Sequence, residues 1–219
     1  MSFDFYQWLT QLSDTTMTAQ LYILSAPSGA GKTSMVREAC SRIDDLTVSV
    51  SHTTRPKRPK DRDGVDYHFV EKPTFLEMIA EADFLEHAEV FGNYYGTSHK
   101  AVTETLNAGK DVLLEIDWQG ADQVRRLTPE ACSIFIMPPS RETLENRLRG
   151  RASDSEEVIE RRIAEAVSDM QHYSNYDYLI INDDFEQAVS ELCAIIIAKR
   201  VEVRRQTELR SEMLSALLG

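Results

Sequence analysis

The residues with the clearest chemistry form one run, Ala26-Pro27-Ser28-Gly29-Ala30-Gly31-Lys32-Thr33-Ser34, directly after the apolar stretch Leu21-Tyr22-Ile23-Leu24. An apolar strand, a loop of small residues and the opening of a helix turn successive backbone N–H groups inward. They deliver a ligand to a helix N-terminus, where unpaired donors and the positive dipole end favour phosphate. Gly29 and Gly31 permit close approach of the backbone. Lys32 is placed to reach β- and γ-phosphates and the Thr33 hydroxyl to ligate Mg²⁺, completing a G-x-x-x-x-G-K-[ST] phosphate loop. Ala26 stands where the first glycine is usual, which is tolerable only if its φ is negative and its methyl points away from the phosphates.

A second group of reactive side chains closes the run Val112-Leu113-Leu114-Glu115-Ile116-Asp117, which has the composition of a buried parallel strand. Ligands of open α/β sheets gather at the carboxyl ends of strands. Glu115 and Asp117 are therefore candidates to meet Mg²⁺, directly or through water, beside Lys32 and Thr33, with the choice between them open. Basic residues fall into two clusters, Arg55-Lys57-Arg58-Lys60-Arg62 and Arg141, Arg147, Arg149, Arg151, Arg161 and Arg162. The chain carries 36 acidic against 24 basic residues and a formal net charge of −12. That balance disfavours general attraction to nucleic acid or an anionic membrane, and makes the arginine clusters candidate sites for a small anion. Cys40, Cys132 and Cys193 are odd in number and widely spaced, arguing against a disulfide framework or a cysteine metal site. No apolar run approaches the roughly 20 residues of a membrane span. The opening residues lack the basic start and apolar centre of a secretory signal, so a cytoplasmic address is expected.

The 219 residues suit one α/β domain with insertions. A helix after the phosphate loop is expected to run to about Ile43, followed by a strand over Leu46 to Ser51. The prolines in His52-Thr53-Thr54-Arg55-Pro56-Lys57-Arg58-Pro59 then exclude regular helix. Residues 51–98 read as a small mixed lobe inserted between two core strands. It holds a short strand, a helix near Thr74 to Glu81, a further strand and a turn-rich segment, Gly92-Asn93-Tyr94-Tyr95-Gly96-Thr97-Ser98. Helices follow over Lys100 to Asn107 and Gln119 to Arg126, and Cys132 to Met137 is another buried strand. A helix from Ser140 and a second one, capped by Ser153 with Glu156 and running to about His172, form an arginine-rich hairpin. Few large apolar residues are visible in that hairpin, which suits a mobile cover. Tyr178 to Asn182 is the last strand. One long helix from Phe185 should pack through Val189, Leu192, Ile196 and Ile197. Before the first strand, Phe3, Phe5, Trp8, Leu9 and Leu12 lie at helical spacing and receive no catalytic role.

Several ordered motifs resemble guanylate kinase: Ser51-His52-Thr53-Thr54-Arg55-Pro56-Lys57-Arg58, Gly64-Val65-Asp66-Tyr67-His68-Phe69, Phe84-Leu85-Glu86, Gly92-Asn93-Tyr94-Tyr95-Gly96-Thr97 and Glu115-Ile116-Asp117-Trp118-Gln119-Gly120. The resemblance covers about residues 20 to 205. It implies a three-layer α/β phosphate-loop kinase with a parallel sheet, an inserted mixed α+β GMP-binding lobe and a helical lid. The division would be 1–19 as an extension, 20–50, 99–139 and 173–219 as a discontinuous core, 51–98 as the lobe and 140–172 as the lid. The implied activity is transfer of the γ-phosphoryl group of ATP to GMP, and to dGMP, within purine nucleotide metabolism, with Mg²⁺ as cofactor. By motif position Arg55, Arg58, Tyr67 and Tyr95 would hold the GMP phosphate, and Ser51, Glu86, Thr97 and Asp117, with Glu115 adjacent, would read guanine. Residues 26–34 would hold the ATP phosphates, with Asn182 near the adenine. Lys32, Arg147, Arg151 and Arg162 would act on the moving phosphoryl group, leaving Arg149 and Arg161 in solvent. Oligomeric state stays open. Two other readings stand beside this one: a binding module that has lost catalysis, and a kinase for a different phosphorylated acceptor.

Overall fold

In the computed structural model, residues 19–150 and 156–219 are described. The chain begins with β1 (Leu21–Ser25), α1 (Lys32–Arg42), β2 (Leu46–Val48), β3 (His52–Thr53), β4 (His68–Phe69), α2 (Lys72–Ala80), β5 (Phe84–Val90) and β6 (Asn93–Ser98). It continues through α3 (His99–Asn107), β7 (Asp111–Glu115), α4 (Trp118–Leu127), β8 (Cys132–Met137), α5 (Arg141–Arg149) and α6 (Glu156–Met170). A 3₁₀ turn (Gln171–Asn175), β9 (Tyr178–Ile181), α7 (Phe185–Arg200), α8 (Val203–Leu209) and α9 (Ser211–Leu218) follow.

Five strands form a parallel sheet in the order β2-β7-β1-β8-β9. Both faces are covered, which explains why β1, β7 and β8 read as unbroken apolar runs. Tyr22 and Leu24 face one cluster with Met35, Val36 and Ala39 of α1 and Val189, Leu192 and Ile196 of α7. Leu21 and Ile23 face another with Val102 and Leu106 of α3 and Ala121 and Val124 of α4. The result is three layers, helix, sheet and helix, as the resemblance implies.

The second sheet has the order β4-β3-β6-β5. The expected strand from Leu46 to Ser51 is shorter because the chain changes sheets there. Ser49 N–H still bonds Leu113 in the parallel sheet, whereas the Ser51 carbonyl accepts from His68 N–H in the other. The segment 92–98, expected as turns, is instead mostly β6, paired antiparallel with β5. Phe91 and Gly92, with φ of 53° and 73°, make the whole turn. Gly96 within β6 hides the strand signal for a packing reason: a Cβ there would lie 2.9 Å from the Phe84 ring and 3.0 Å from that of Phe75.

Two further expectations are corrected. The arginine-rich hairpin has its own apolar seam, with Leu144 and Leu148 of α5 buried against Ile159, Ile163 and Ala166 of α6. Thus it is a packed element, whatever its mobility. The long final helix is three helices, broken at Val201–Glu202 and again at Arg210. Ile197 is 54% exposed, because neighbouring Ile196 takes the buried face and each residue advances the helix by about 100°. The first break turns Arg205 toward Asp111, whose fully buried carboxylate accepts from the Arg200 Nε, the Arg205 Nη2 and the Gln20 backbone N–H, each at 2.8 Å. The apolar spacing over Phe3 to Leu12 and the Ser153 cap lie outside the described residues.

Candidate active site

The phosphate loop joins β1 to α1. Gly29 and Gly31 have φ of 90° and 94°, whereas Ala26 is not among the positive-φ residues, which meets the condition for a methyl at that position. Gly31 is the N-cap of α1 and provides no side-chain cap, so the first-turn N–H groups face the loop without a side-chain acceptor. The loop is braced from two sides. A Cβ on Gly29 would lie 3.2 Å from Leu148 of α5, and one on Gly31 would lie 2.6 Å from the Asn182 side chain. Asn182, just after β9, is buried and donates from Nδ2 to the Ala30 carbonyl at 2.7 Å, while its Oδ1 is buried without a partner. Pro27 is buried, Ser28 half-buried and Ser34 exposed.

The strand β7 brings its carboxylate to the same place. Thr33 Oγ1 donates to Glu115 Oε1 at 2.5 Å, and Lys32 Nζ donates to the Ile116 carbonyl at 3.0 Å. A hydroxyl and a carboxylate are hard oxygen donors, suited to a Mg²⁺ that keeps part of its water shell. Among the described residues no three His, Cys, Asp or Glu side chains gather into a self-sufficient metal site. Asp117 is occupied differently: as N-cap of α4 it accepts from Gly120 N–H at 2.9 Å and from Gln119 Nε2 at 3.2 Å.

The second sheet assembles a polar pocket from side chains. Glu86 on β5 is only 3% exposed and accepts from Thr97 Oγ1 of β6 at 2.5 Å, with Ser51 Oγ 3.3 Å from the same hydroxyl. Burial pushes the Glu86 carboxyl up to about 7; the Thr97 hydrogen bond opposes the shift and the nearby Asp117 charge adds to it. Gly120 closes the far side, where a Cβ would lie 2.3 Å from Glu86 Oε2.

At the other end of this lobe Arg55 is fixed from several directions. Its Nη2 donates to Asp61 at 2.8 Å, and its guanidinium lies over the rings of Tyr67 at 5.4 Å and Phe69 at 5.6 Å. Asp61 also accepts from the Arg58 backbone N–H at 2.8 Å, while the Arg58 side chain is exposed. Tyr95 meets Tyr67 edge to face at 5.8 Å. Burial, with Glu115 and Tyr95 in support, pushes the Tyr67 hydroxyl up to about 12, so it stays a hydrogen-bond donor at neutral pH.

Of the hairpin arginines, Arg147 donates from Nη2 to the Asn182 carbonyl at 3.1 Å. Its Nη1 is buried without a partner, a charged donor in want of an acceptor. Arg162 lies with its guanidinium 5.9 Å from the Phe91 ring at the β5–β6 turn. Arg149 pairs with Glu156 and Arg161 with Glu165 on the surface. Arg151 lies outside the described residues. Sequence reasoning missed Asp61 and Gly120. The signals existed: an acid interrupting a basic run, and a glycine inside an apolar-faced helix where no turn needs it.

Comparison with known proteins adds an independent line. A family model described as guanylate kinase matches residues 18–199. A guanylate kinase of Alkalilimnicola ehrlichii is 56% identical over 203 residues, covering 93% of this chain and all of that protein. One from Pseudomonas fluorescens strain Pf-5 is 55% identical over 205 residues, covering 94% of this chain and all of its own length. Among solved structures, that of guanylate kinase from Anaplasma phagocytophilum superposes with a TM-score of 0.71 at 32% identity, covering 85% of this chain and 88% of that one.

Proposed function

The chain belongs to the guanylate kinase family, and from that premise we propose how its residues share the transfer of the γ-phosphoryl group of ATP to GMP. The enzyme is a nucleoside monophosphate kinase. The observation that carries the assignment of roles is the buried Glu86, held by Thr97 and, among the described residues, in no ion pair.

Guanine presents N1–H and an exocyclic amine as adjacent donors, which one carboxylate accepts together. Glu86 provides that edge, Ser51 and Thr97 provide hydroxyls beside it, and Asp117 borders the pocket. Adenine would set an N1 lone pair against the carboxylate and leave it unpaired, a mismatch worth about 10⁴ in selectivity. Arg55, prealigned by Asp61, Tyr67 and Phe69, and the exposed Arg58 receive the GMP phosphate with the Tyr67 and Tyr95 hydroxyls. Guanidinium forks suit its oxygens and the phenols add donors without charge.

On the donor side the backbone of residues 26–34 cradles the ATP phosphates, and Asn182, assigned near the adenine, also supports the loop through its bond to the Ala30 carbonyl. Mg²⁺ would be held by Thr33 and by Glu115, with Asp117 engaged as a helix cap, and supplies charge neutralisation on the β- and γ-phosphates. Lys32 moves from the Ile116 carbonyl to those phosphates. Arg147, with an unsatisfied donor, and Arg162 neutralise the moving group, and we assign Arg151 to the same task on the resemblance alone. Phosphoryl transfer asks the protein for alignment and charge stabilisation more than for covalent chemistry. Among the described residues no helix is long and apolar enough to cross a membrane; the cytoplasm, where ATP and GMP are supplied, is the proposed location.

The test is coupled measurement of ADP formation from ATP with GMP, dGMP, AMP, UMP and CMP. Turnover with GMP and dGMP at least about 10³-fold above AMP is expected. Comparable rates with AMP would remove Glu86 from guanine reading.

A further inference from the structure

Trp118 has no part in the scheme above, yet it joins two regions that the reaction must keep in register. It follows Asp117 and opens α4. Its indole lies flat on the His172 imidazole, with ring centres 3.8 Å apart and planes 7° from parallel. Asp169, in the last turn of α6, lies near the same side chain. Asp169 is half-buried, with Asp117, Glu165 and His172 as the titratable groups around it. One aromatic side chain on the core thus meets the base of the α5–α6 hairpin through a flat stack, one residue along from Asp117.

We propose that Trp118 is a positioning residue, the fixed point that keys the hairpin to the guanine pocket. The inference rests on the assignment of Asp117 to guanine and of the hairpin arginines to the phosphates. Flat stacking fixes the distance and tilt of the 3₁₀ turn and, through it, of the end of α6 that leads into it. Arg162 lies two turns up the same helix, so an error at its base is carried to the guanidinium. Displacement of a charged group by about 1 Å costs on the order of 10² in rate. On the other side, backbone shifts at Trp118 pass directly to Asp117 and to the Gly120 contact with Glu86. The ATP loop touches neither Trp118 nor His172; it meets the hairpin through Leu144 and Leu148 of α5, and Asn182 holds it from the side of β9.

The experiment uses the full chain with Trp8→Phe, which leaves Trp118 as the single tryptophan, and compares Trp118→Phe and Trp118→Ala variants, each with a thermal melt. The parent must first show GMP-dependent turnover, so that failure of the assigned activity is seen separately from failure of the joint. Trp118→Ala is expected to lower kcat/KM for GMP by about 10²-fold with KM for ATP within about twofold. Trp118→Phe, which keeps a stacking ring and loses the N–H, should recover about tenfold of that loss. Addition of GMP alone should change Trp118 emission in the parent. Equal losses for GMP and ATP that follow the melting temperature, no recovery in Trp118→Phe, or emission indifferent to GMP would overturn the proposal.

Discussion

At the phosphate loop the atoms assigned to recognition are backbone N–H groups around Gly29 to Thr33, and loop shape comes from two positive-φ glycines with Asn182 and Leu148 as props. In the pocket proposed for guanine the atoms assigned to recognition are side-chain oxygens of Glu86, Thr97 and Ser51 on three different strands or connections. The first arrangement holds no buried unpaired charge before its ligand arrives. The second holds a carboxylate whose ionisation is already resisted by burial. Backbone recognition suits phosphate, which is common to every nucleotide, whereas a strained carboxylate discriminates because only a ligand with two adjacent donors relieves it.

Replacing Lys32 tests the loop side most severely. Lys32→Ala should lower kcat by about 10³-fold with an unchanged melting temperature, because the cation touches the transferring phosphates while glycines set the loop. Steady-state kinetics beside a thermal melt decide it; a kcat within tenfold of the parent would remove Lys32 from the transferring phosphates and leave it the Ile116 carbonyl alone.

The pocket should respond to Glu86→Gln by a loss of about 10² in kcat/KM for GMP with KM for ATP nearly unchanged, since the amide turns a donor toward a donor. A matching pH effect has a definite sign. The folded carboxyl is raised from 4.5 to about 7, so its contribution to stability is fully present below about 4.5 and disappears as pH rises through about 7. Asp169, raised to about 6 by burial first and by Asp117 next, tilts the melting curve in the same direction. Guanine favours the Glu86 carboxylate, so GMP affinity should fall as pH drops below 7. The second ionisation of the GMP phosphate, near 6, contributes in both proteins. The difference between parent and Glu86→Gln, followed by calorimetry from pH 5 to 8, isolates Glu86, and parallel curves would refute the assignment.

Gly120→Ala is the mildest of the three. The added methyl would collide with Glu86 Oε2, so KM for GMP should rise about tenfold while ATP binding and the fold persist. Equal changes for both substrates would mean that α4 moves as a whole.

The two regions also differ in how far they could be read from sequence. The loop and the core strands are contiguous, and β7 and β8 announce themselves because strands buried on both faces are apolar throughout. The lobe is not contiguous in this sense. β6 carries Asn93, Gly96 and Ser98, which read as turn residues until Phe75 and Phe84 are seen to require the glycine. The hairpin seam escaped notice because Leu144, Leu148, Ile159 and Ile163 are spread over two helices among many charges. Arg55 stands out in the basic run of an acidic chain, whereas Glu86 is singled out only through resemblance to a family. Their supports, Asp61 and Gly120, depend on close approaches that only coordinates display.

The buried carboxylate of Asp111 has a consequence in time. It lies on β7, an interior strand of the parallel sheet between β2 and β1, but its two guanidinium partners belong to residues 200 and 205. Removing the partners of a buried charge costs about 3–5 kcal/mol. During synthesis at about 5–20 residues per second, β7 leaves the ribosome several seconds before either arginine exists. Over that interval Asp111 stays hydrated, and the sheet cannot close dry around it. The Asp111–Arg200–Arg205 cluster, and not the phosphate loop made first, is thus the last part of the core that the nascent chain can complete.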